Sequence, residues 1–416
     1  MPLTRSCSPC PGRTFELAVE GDLRASTATI PIEQAAYLAP IHGACYEGWS
    51  SKKRRGNSGM TGHPLGRSEI DFDLGALRAF YANKRILITG AAGSIGADLA
   101  LELARLGCAH LAMLDQFDHG LIDIVERVQR IAPRLPVTEA LCDVRDADRL
   151  QSWMRKIEPD VVFHSAALKH VHLGERHPVE CILTNLVGTH NTLAAAVNAG
   201  ASHFMLISSD KAAAPSCVMG ATKRLAELHL AGFQREHAAK TRLRSVRFGN
   251  VIGSQGSVLP RFTGQIESGG PLEVTHPDME RFFMSPREAV GLILSVAALD
   301  EQGAGAYFME MGDAVSIMDL GRALIRQSGK PINIEITGLR PGEKFKEQLA
   351  DEYEAIAPTA LANVFRVTPV AKDAYVTSAD VAHLEAVART MDNAIVRQRV
   401  FAHLDERLGR RQPATG

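Results

Sequence analysis

An α/β fold on a doubly wound parallel sheet, with a smaller C-terminal lobe, is predicted by three features of the 416-residue chain. From residue 84 to about 250, short β-rich apolar runs alternate with helical stretches, which implies βαβ units. A glycine-rich turn joins the first such run to the first helix. Beyond about residue 250 the alternation gives way to irregular sequence rich in Gly and Pro.

Residues 1–67 precede this pattern and read as a flexible polar extension, with Ser, Pro, Gly and the basic run KKRR at 52–55. No apolar stretch of the secretory type opens the chain, so a cytoplasmic protein is expected. Composition agrees with a soluble globular protein: 45% hydrophobic, 22% charged and a formal net charge of −1. That balance gives no reason to expect a nucleic-acid partner or an anionic membrane surface. The longest apolar run, VGLILSVAAL at 290–299, is too short to span a bilayer and predicts a buried helix. The 7 cysteines are odd in number and scattered, which argues against a disulfide framework. Cys7 and Cys10 form a CxxC with no second pair, so no metal is expected.

KRILIT (84–89) is the first strand, GAAGSIG (90–96) the turn, and ADLALELARLG a helix with apolar residues at helical spacing. HLAMLD (110–115) is the second strand. The helical GLIDIVERVQRIA leads to a third strand in LPVTEALCD (135–143). DVVFHSAA (160–167) and ASHFMLISSD (201–210) are further strands, separated by the helical PVECILTNLVGTHNTLAAAVNAG. TRLRSVRFGNV (241–251) supplies one more. Right-handed crossovers between such strands wind the sheet in both directions. Residues 68–250 are therefore read as one α/β domain and 251–370 as a smaller lobe. Residues 371–416 are read as a helical segment and tail.

A lone glycine motif is weak evidence, but TGAAGSIG (89–96) follows a strand, opens a helix, and is followed by Asp115 at the end of the next strand. Gly90 allows the tight turn, Gly93 lets the backbone approach a pyrophosphate, and Gly96 lets helix and strand pack closely. Ser94 and Ile95 lie inside the same turn, where the helix N-terminus presents free N–H groups to phosphate. Asp115 can accept both hydroxyls of a ribose and would repel a 2′-phosphate, which favours NAD over NADP. Asp143 ends the third strand in the same way and is read as meeting the adenine end or as a plain capping residue.

The glycine spacing, HSAALKH (164–170), Asn185 in LTNLVGT and SSDK…MGATK together resemble the extended short-chain dehydrogenase/reductases, a Rossmann-fold group. RFGNVIGSQGSVLPRF (247–262), VTHPDMERFFMSPREAV (274–290) and GLRPGEKFKEQL (338–349) are similar to segments of the bacterial nucleotide-sugar 4,6-dehydratases of polysaccharide and glycan biosynthesis. Those enzymes act on UDP-N-acetylglucosamine. The resemblance spans roughly residues 68–370 and is closest to long members that carry a membrane-spanning N-terminal region; here a polar extension stands instead, and no membrane insertion is expected. Where the family has Thr-Asp-Lys this chain has Ser209-Asp210-Lys211, and Met219 stands where other short-chain enzymes have Tyr. AAAPSC (212–217) departs from the family's Asn-containing pattern.

The resemblance makes residues 68–250 the NAD-binding domain with the catalytic residues and 251–370 the substrate lobe. It implies NAD as cofactor, a UDP-sugar as substrate, and three events at one hexose: C4 oxidation, loss of water across C5–C6, and hydride return to C6. Lys211 is expected as the C5 base, with a pKa depressed by desolvation and by Lys223, and Asp210 as the acid at C6. Ser209 is expected to bond the C4 hydroxyl, Met219 to pack against sugar or nicotinamide, and Lys223 to hold the nicotinamide ribose. Ala166, Lys169 and Asn185 are expected on the cofactor. Lys169, His170, Asn250, Val258, Arg281, Arg340 and Glu343 are expected on the nucleotide sugar, the arginines as planar donors to the diphosphate. Met219 cannot exchange protons, so the C4 proton must leave through Ser209, Asp210 or water. A 4-epimerase and a catalytically silent NAD-binding scaffold are the alternatives; the first has no need of Asp210-Lys211, and neither Ser-Asp-Lys nor Lys223 suits the second. Association into a homo-oligomer through helices of the nucleotide-binding domain is also implied.

Overall fold

The computed structural model describes residues 69–410 apart from 239, 302 and 391. The expectations for residues 1–67, including Cys7, Cys10 and the basic run, lie outside the described residues. Nine strands form the main sheet: β1 (Arg85–Thr89), β2 (His110–Asp115), β3 (Val137–Leu141), β4 (Val161–His164), β5 (His203–Ile207), β6 (Arg242–Arg247), β7 (Gly305–Met309), β8 (Glu354–Pro358) and β9 (Val364–Pro369). Their order is β8-β9-β7-β6-β5-β4-β1-β2-β3. All pairings from β3 to β7 are parallel, and β9 and β8 close that side as an antiparallel pair. The order reverses between β1 and β4, the switch point where such sheets bind ligands at the strands' carboxyl ends.

Alternate residues of each central strand enter opposite cores. Ile86, Ile88, Met113, Phe163 and Met205 pack on one face, Leu87, Leu114, Val162 and Phe204 on the other. Burial on both faces is why these strands read as unbroken apolar runs. The first face is covered by helices Leu74–Tyr81, Ser94–Leu106, Asp118–Ile131 and Pro286–Ala298. The last of these contains the expected buried run, and opens with Pro286 after a capping box between Ser285 and Glu288. The second face carries Ala147–Ile157, Gly188–Asn198 and Val218–His237, with Ser378–Thr390 and Asn393–Leu408 from the chain's end packed outside them. Helix Ala147–Ile157 buries only Leu150, Met154 and Ile157, so no continuous apolar run announces it.

Residues 251–370 contribute to two bodies. Phe262, Ile266, Leu272, Val274, Met279, Phe283 and Ile317 form a separate small core. The same stretch also gives β7, β8, β9 and helix Pro286–Ala298 to the large sheet and its core. No helix among the described residues is long and apolar enough to cross a membrane.

Candidate active site

The turn after β1 has the shape a diphosphate needs. Gly90 sits at φ +68°, and a Cβ there would lie 2.5 Å from the Ala166 nitrogen. A Cβ on Gly96 would lie 2.2 Å from the Gly90 carbonyl oxygen. Gly93 is the N-cap of Ser94–Leu106 and offers no side chain, so the first N–H groups of that helix remain open to an anion. Asp115 accepts from the Ala92 N–H (2.9 Å) and the Phe117 N–H (3.0 Å), one on each carboxylate oxygen, which holds it beside the turn with lone pairs to spare. This cradle fits NAD. Ser94 Oγ accepts from the Gln255 N–H (3.1 Å), and Ile95 packs against the first core. Asp143 is engaged by Arg145 through its N–H (2.9 Å) and guanidinium (2.6 Å). Burial pushes the Asp143 carboxyl up, but Arg145 outweighs it and the net direction is down.

At the end of β5 the chain makes a tight turn, Asp210–Ala212, capped by Ser209. Asp210 is 1% exposed; its Oδ1 accepts from Ser209 Oγ (2.9 Å) and from Lys211 Nζ (2.9 Å). A second carboxylate, Glu347, is 4% exposed and places Oε1 3.7 Å from Lys211 Nζ. Asp210 Oδ2 and Glu347 Oε2 are buried and receive no hydrogen bond from the described residues. Burial alone would lower the Lys211 pKa; the charges of Asp210 and Glu347 outweigh it, with Arg281 opposing, and hold Lys211 above its ordinary value. The expectation of a depressed Lys211 is therefore corrected: two carboxylates face it, and Lys223 is not among its partners. The depressed lysine is Lys223, 4% exposed and brought to about 8 by burial although Glu227 opposes. Its ammonium donates to the Ile207 carbonyl (2.9 Å).

Met219 is 2% exposed in an apolar cluster with Cys181, Cys217 and Val218, against Val171 and Phe401. Its surroundings are protein side chains on the helix flank, where the expectation was a sugar or nicotinamide face. Asn185 is fully buried on a π-turn, Ile182–Val187, and accepts from the Leu168 N–H (2.8 Å) while donating to the Leu168 carbonyl and Thr222 Oγ1. It clamps the loop after β4 and so positions Ala166, which abuts Gly90, and Lys169, which is exposed. The His170 ring lies under Gly256, whose added Cβ would come within 2.7 Å of it.

Arg281 is 8% exposed and donates to the carbonyls of Glu280 (2.7 Å) and Phe345 (3.0 Å). Glu343 accepts from the Arg340 N–H (3.1 Å), closing the turn that carries both. Asn250 lies on a short bridge to Phe283, and Val258 opens helix Val258–Glu267. The segment from Arg340 to Glu347 is fastened across the β5 turn: Lys344 Nζ donates to the Ala214 carbonyl, and Ser216 Oγ to the Gly342 carbonyl (3.0 Å). Glu347 itself was not among the expected residues. Its motif, GLRPGEKFKEQL, is visible in sequence, but nothing in the spacing says which of its acids turns toward Lys211.

Beneath the site lies a buried ion cluster. Arg247 is bonded to both Glu227 (2.6 Å) and Glu354 (2.7 Å), and Arg224 pairs with both carboxylates as well. Glu227 accepts from Ser208 Oγ (2.6 Å), one residue before the Ser209-Asp210-Lys211 triplet, and Arg247 donates to the Leu349 carbonyl (3.0 Å), two residues beyond Glu347. The cluster thus ties both halves of the site to the helix that carries Lys223. Among the described residues no group of three or more His, Cys, Asp or Glu could hold a metal ion.

A doubly wound sheet with a glycine cradle at its switch point and a cluster of ionisable side chains at the end of β5 is the Rossmann fold of the extended short-chain dehydrogenase/reductase group. Residues 86–369 match the family model described as polysaccharide biosynthesis protein, and the chain belongs to that family. The capsular polysaccharide biosynthesis protein CapD of Staphylococcus aureus is 40% identical over 306 residues, 73% of this chain and 51% of its own. The chain thus spans about half the length of that curated relative. Among solved structures, Pen from Bacillus thuringiensis matches with a TM-score of 0.65 and 31% identity, over 70% of this chain and 90% of that one. DesIV, a dTDP-glucose 4,6-dehydratase from Streptomyces venezuelae solved with NAD bound, matches with a TM-score of 0.56 at 20% identity, over 64% and 88%, and shows the shared fold alone.

Proposed function

We propose that this chain is an NAD-dependent nucleotide-sugar 4,6-dehydratase acting on a UDP-hexose, with UDP-N-acetylglucosamine as the substrate. The observation that carries the reading is the buried cluster of Ser209, Asp210, Lys211 and Glu347. Elimination across C5–C6 needs a base at C5 and an acid at C6, whereas a 4-epimerase needs no base at C5 and normally moves the C4 hydroxyl proton with the tyrosine that is absent here. NAD, when bound on the Gly90–Gly96 cradle and Asp115, would take the C4 hydride and return it at C6, leaving the cycle unchanged. Ser209 would accept the C4 hydroxyl as a hydrogen-bond partner and pass its proton to Asp210, 2.9 Å away, which does the work usually given to a tyrosine. Arg281 and Arg340 would clamp the diphosphate, with Glu343 on the uridine ribose. The sugar is proposed to lie over the Asp210–Lys211 turn with Lys169 and His170 at its rim.

The test is direct. Purified protein is incubated with NAD and UDP-N-acetylglucosamine, and the product mass is followed. Loss of the mass of one water is expected; a product of unchanged mass and inverted C4 would overturn the dehydratase in favour of the epimerase.

A further inference from the structure

Resting on the dehydratase reading, we infer that Glu347 is a catalytic residue, the base that takes the C5 proton, and that Lys211 is the acid that delivers a proton to the departing C6 hydroxyl. The reason is geometric. Three proton transfers have to be served, and three ionisable groups meet at the end of β5. Lys211 Nζ lies 2.9 Å from Asp210 Oδ1 and 3.7 Å from Glu347 Oε1. Each carboxylate keeps one buried oxygen without a partner among the described residues, Oδ2 of Asp210 and Oε2 of Glu347. A buried carboxylate oxygen left unpaired is costly unless a ligand meets it.

The assignment follows from which group is free at each moment. Asp210 Oδ1 already accepts from Ser209 Oγ, so the C4 hydroxyl proton arrives there as C4 becomes a ketone. Asp210 is then neutral and cannot act as the base at C5. Glu347 is still ionised and takes the C5 proton. The C5–H electron pair becomes the C5=C6 double bond, the C6–O bond breaks, and the hydroxyl leaves as water with a proton from Lys211. Hydride return to C6 is accompanied by return of the Glu347 proton to C5. Lys211 is left as an amine and Asp210 as an acid, in hydrogen-bond contact, and one transfer between them restores the starting state. The balance closes: the water lost is the C6 hydroxyl plus the C4 hydroxyl proton, with no net proton taken from solvent, and the proton held on Glu347 can exchange with water before it returns to C5. The charged groups facing Lys211 are Asp210, Glu347 and Arg281, and their net effect keeps it an ammonium, the form an acid needs.

The test uses the full-length holoenzyme carrying Glu347→Gln, which conserves shape and removes the base. Loss of a positioned base should lower kcat for water release by about 10²–10⁴-fold. KM and calorimetric binding of NAD and UDP-N-acetylglucosamine should stay near wild type, and incorporation of deuterium at C5 from heavy water should fall with kcat. A transient absorbance of reduced cofactor should persist, because oxidation at C4 does not use Glu347. If E347Q does not fold, Glu347→Asp retains the carboxylate one methylene shorter and should keep reduced but measurable C5 exchange. Near-normal dehydration by E347Q overturns the assignment alone. A wild-type protein that turns over the sugar without releasing water overturns the dehydratase reading and the assignment together.

Discussion

At the scale of single residues, the site makes opposite demands on neighbouring positions. Lys211 is held by two carboxylates, and Lys211→Met should abolish water release, with a loss of about 10²–10⁴-fold in kcat measured by product mass. Met219 is packed among thiols and aliphatic groups, and Met219→Leu nearly conserves volume; it should cost under about 1.5 kcal/mol in a melting experiment and little activity. Asp115→Ala should weaken NAD binding by about 1–3 kcal/mol, because the ribose hydroxyls lose their acceptor, and should narrow the preference over NADP in parallel calorimetric titrations. Most of these residues are legible in sequence because each is local to a strand end: Asp115 closes β2, and Ser209-Asp210-Lys211 follow β5 after one residue, Ser208. Glu347 was not legible, because its place beside Lys211 depends on Lys344 and Ser216 fastening a distant segment over the turn. The state of Lys211 was misread for the same reason, since the second carboxylate that raises it comes from that segment.

At the scale of elements, the ion cluster of Arg224, Glu227, Arg247 and Glu354 joins helix Val218–His237, β6 and the start of β8. Removing one partner leaves its neighbours charged and buried, so Glu354→Gln should destabilise the protein by about 3–5 kcal/mol, read as a fall in unfolding midpoint in urea. Burial pushes the Glu354 carboxyl up, yet the hydrogen bonds and charges of Arg247 and Arg224 carry it down to about 2, from an ordinary 4.5. A depressed carboxyl stabilises the fold in its ionised form. Its contribution is complete above pH 4.5 and is lost as the pH falls toward 2. E354Q should therefore show a weaker loss of stability across that acid window than the wild type. The elements themselves divide by what their sequence displays. β1, β2, β4 and β5 were readable as apolar runs, whereas four of the five residues of β8 are exposed and its partner β9 is mixed, so neither carries such a run. Their place is decided by β9 pairing with β7 and β8 with β9, a tertiary event.

At the scale of the molecule, the cradle, the β5 turn and the fastened segment all lie between Gly90 and Glu347. A chain beginning at Ser68 retains Leu77 and Tyr81 of the first described helix, which are buried in the main core. It should bind NAD and turn over substrate per folded molecule as the full chain does; a folded but inactive product would place residues 1–67 in the site or in an essential assembly. Saturating NAD should raise the unfolding free energy of either form, by about 2.7 kcal/mol at a hundredfold excess over Kd.

The ion cluster also has a consequence for how the protein is made. Arg224 and Arg247 leave the ribosome well before Glu354. Until β8 arrives, the β6 end of the growing sheet carries two guanidinium groups destined for burial with only Glu227 to meet them. The central strands can pair as they emerge, but that corner cannot dry out. Nascent chains arrested just before residue 354 should therefore remain protease-sensitive around β6 and helix Val218–His237, and become resistant once β8 and β9 are released. The last strands of the sheet thus complete the burial of the cluster: a chain cut short before them leaves Arg224 and Arg247 without the Glu354 carboxylate.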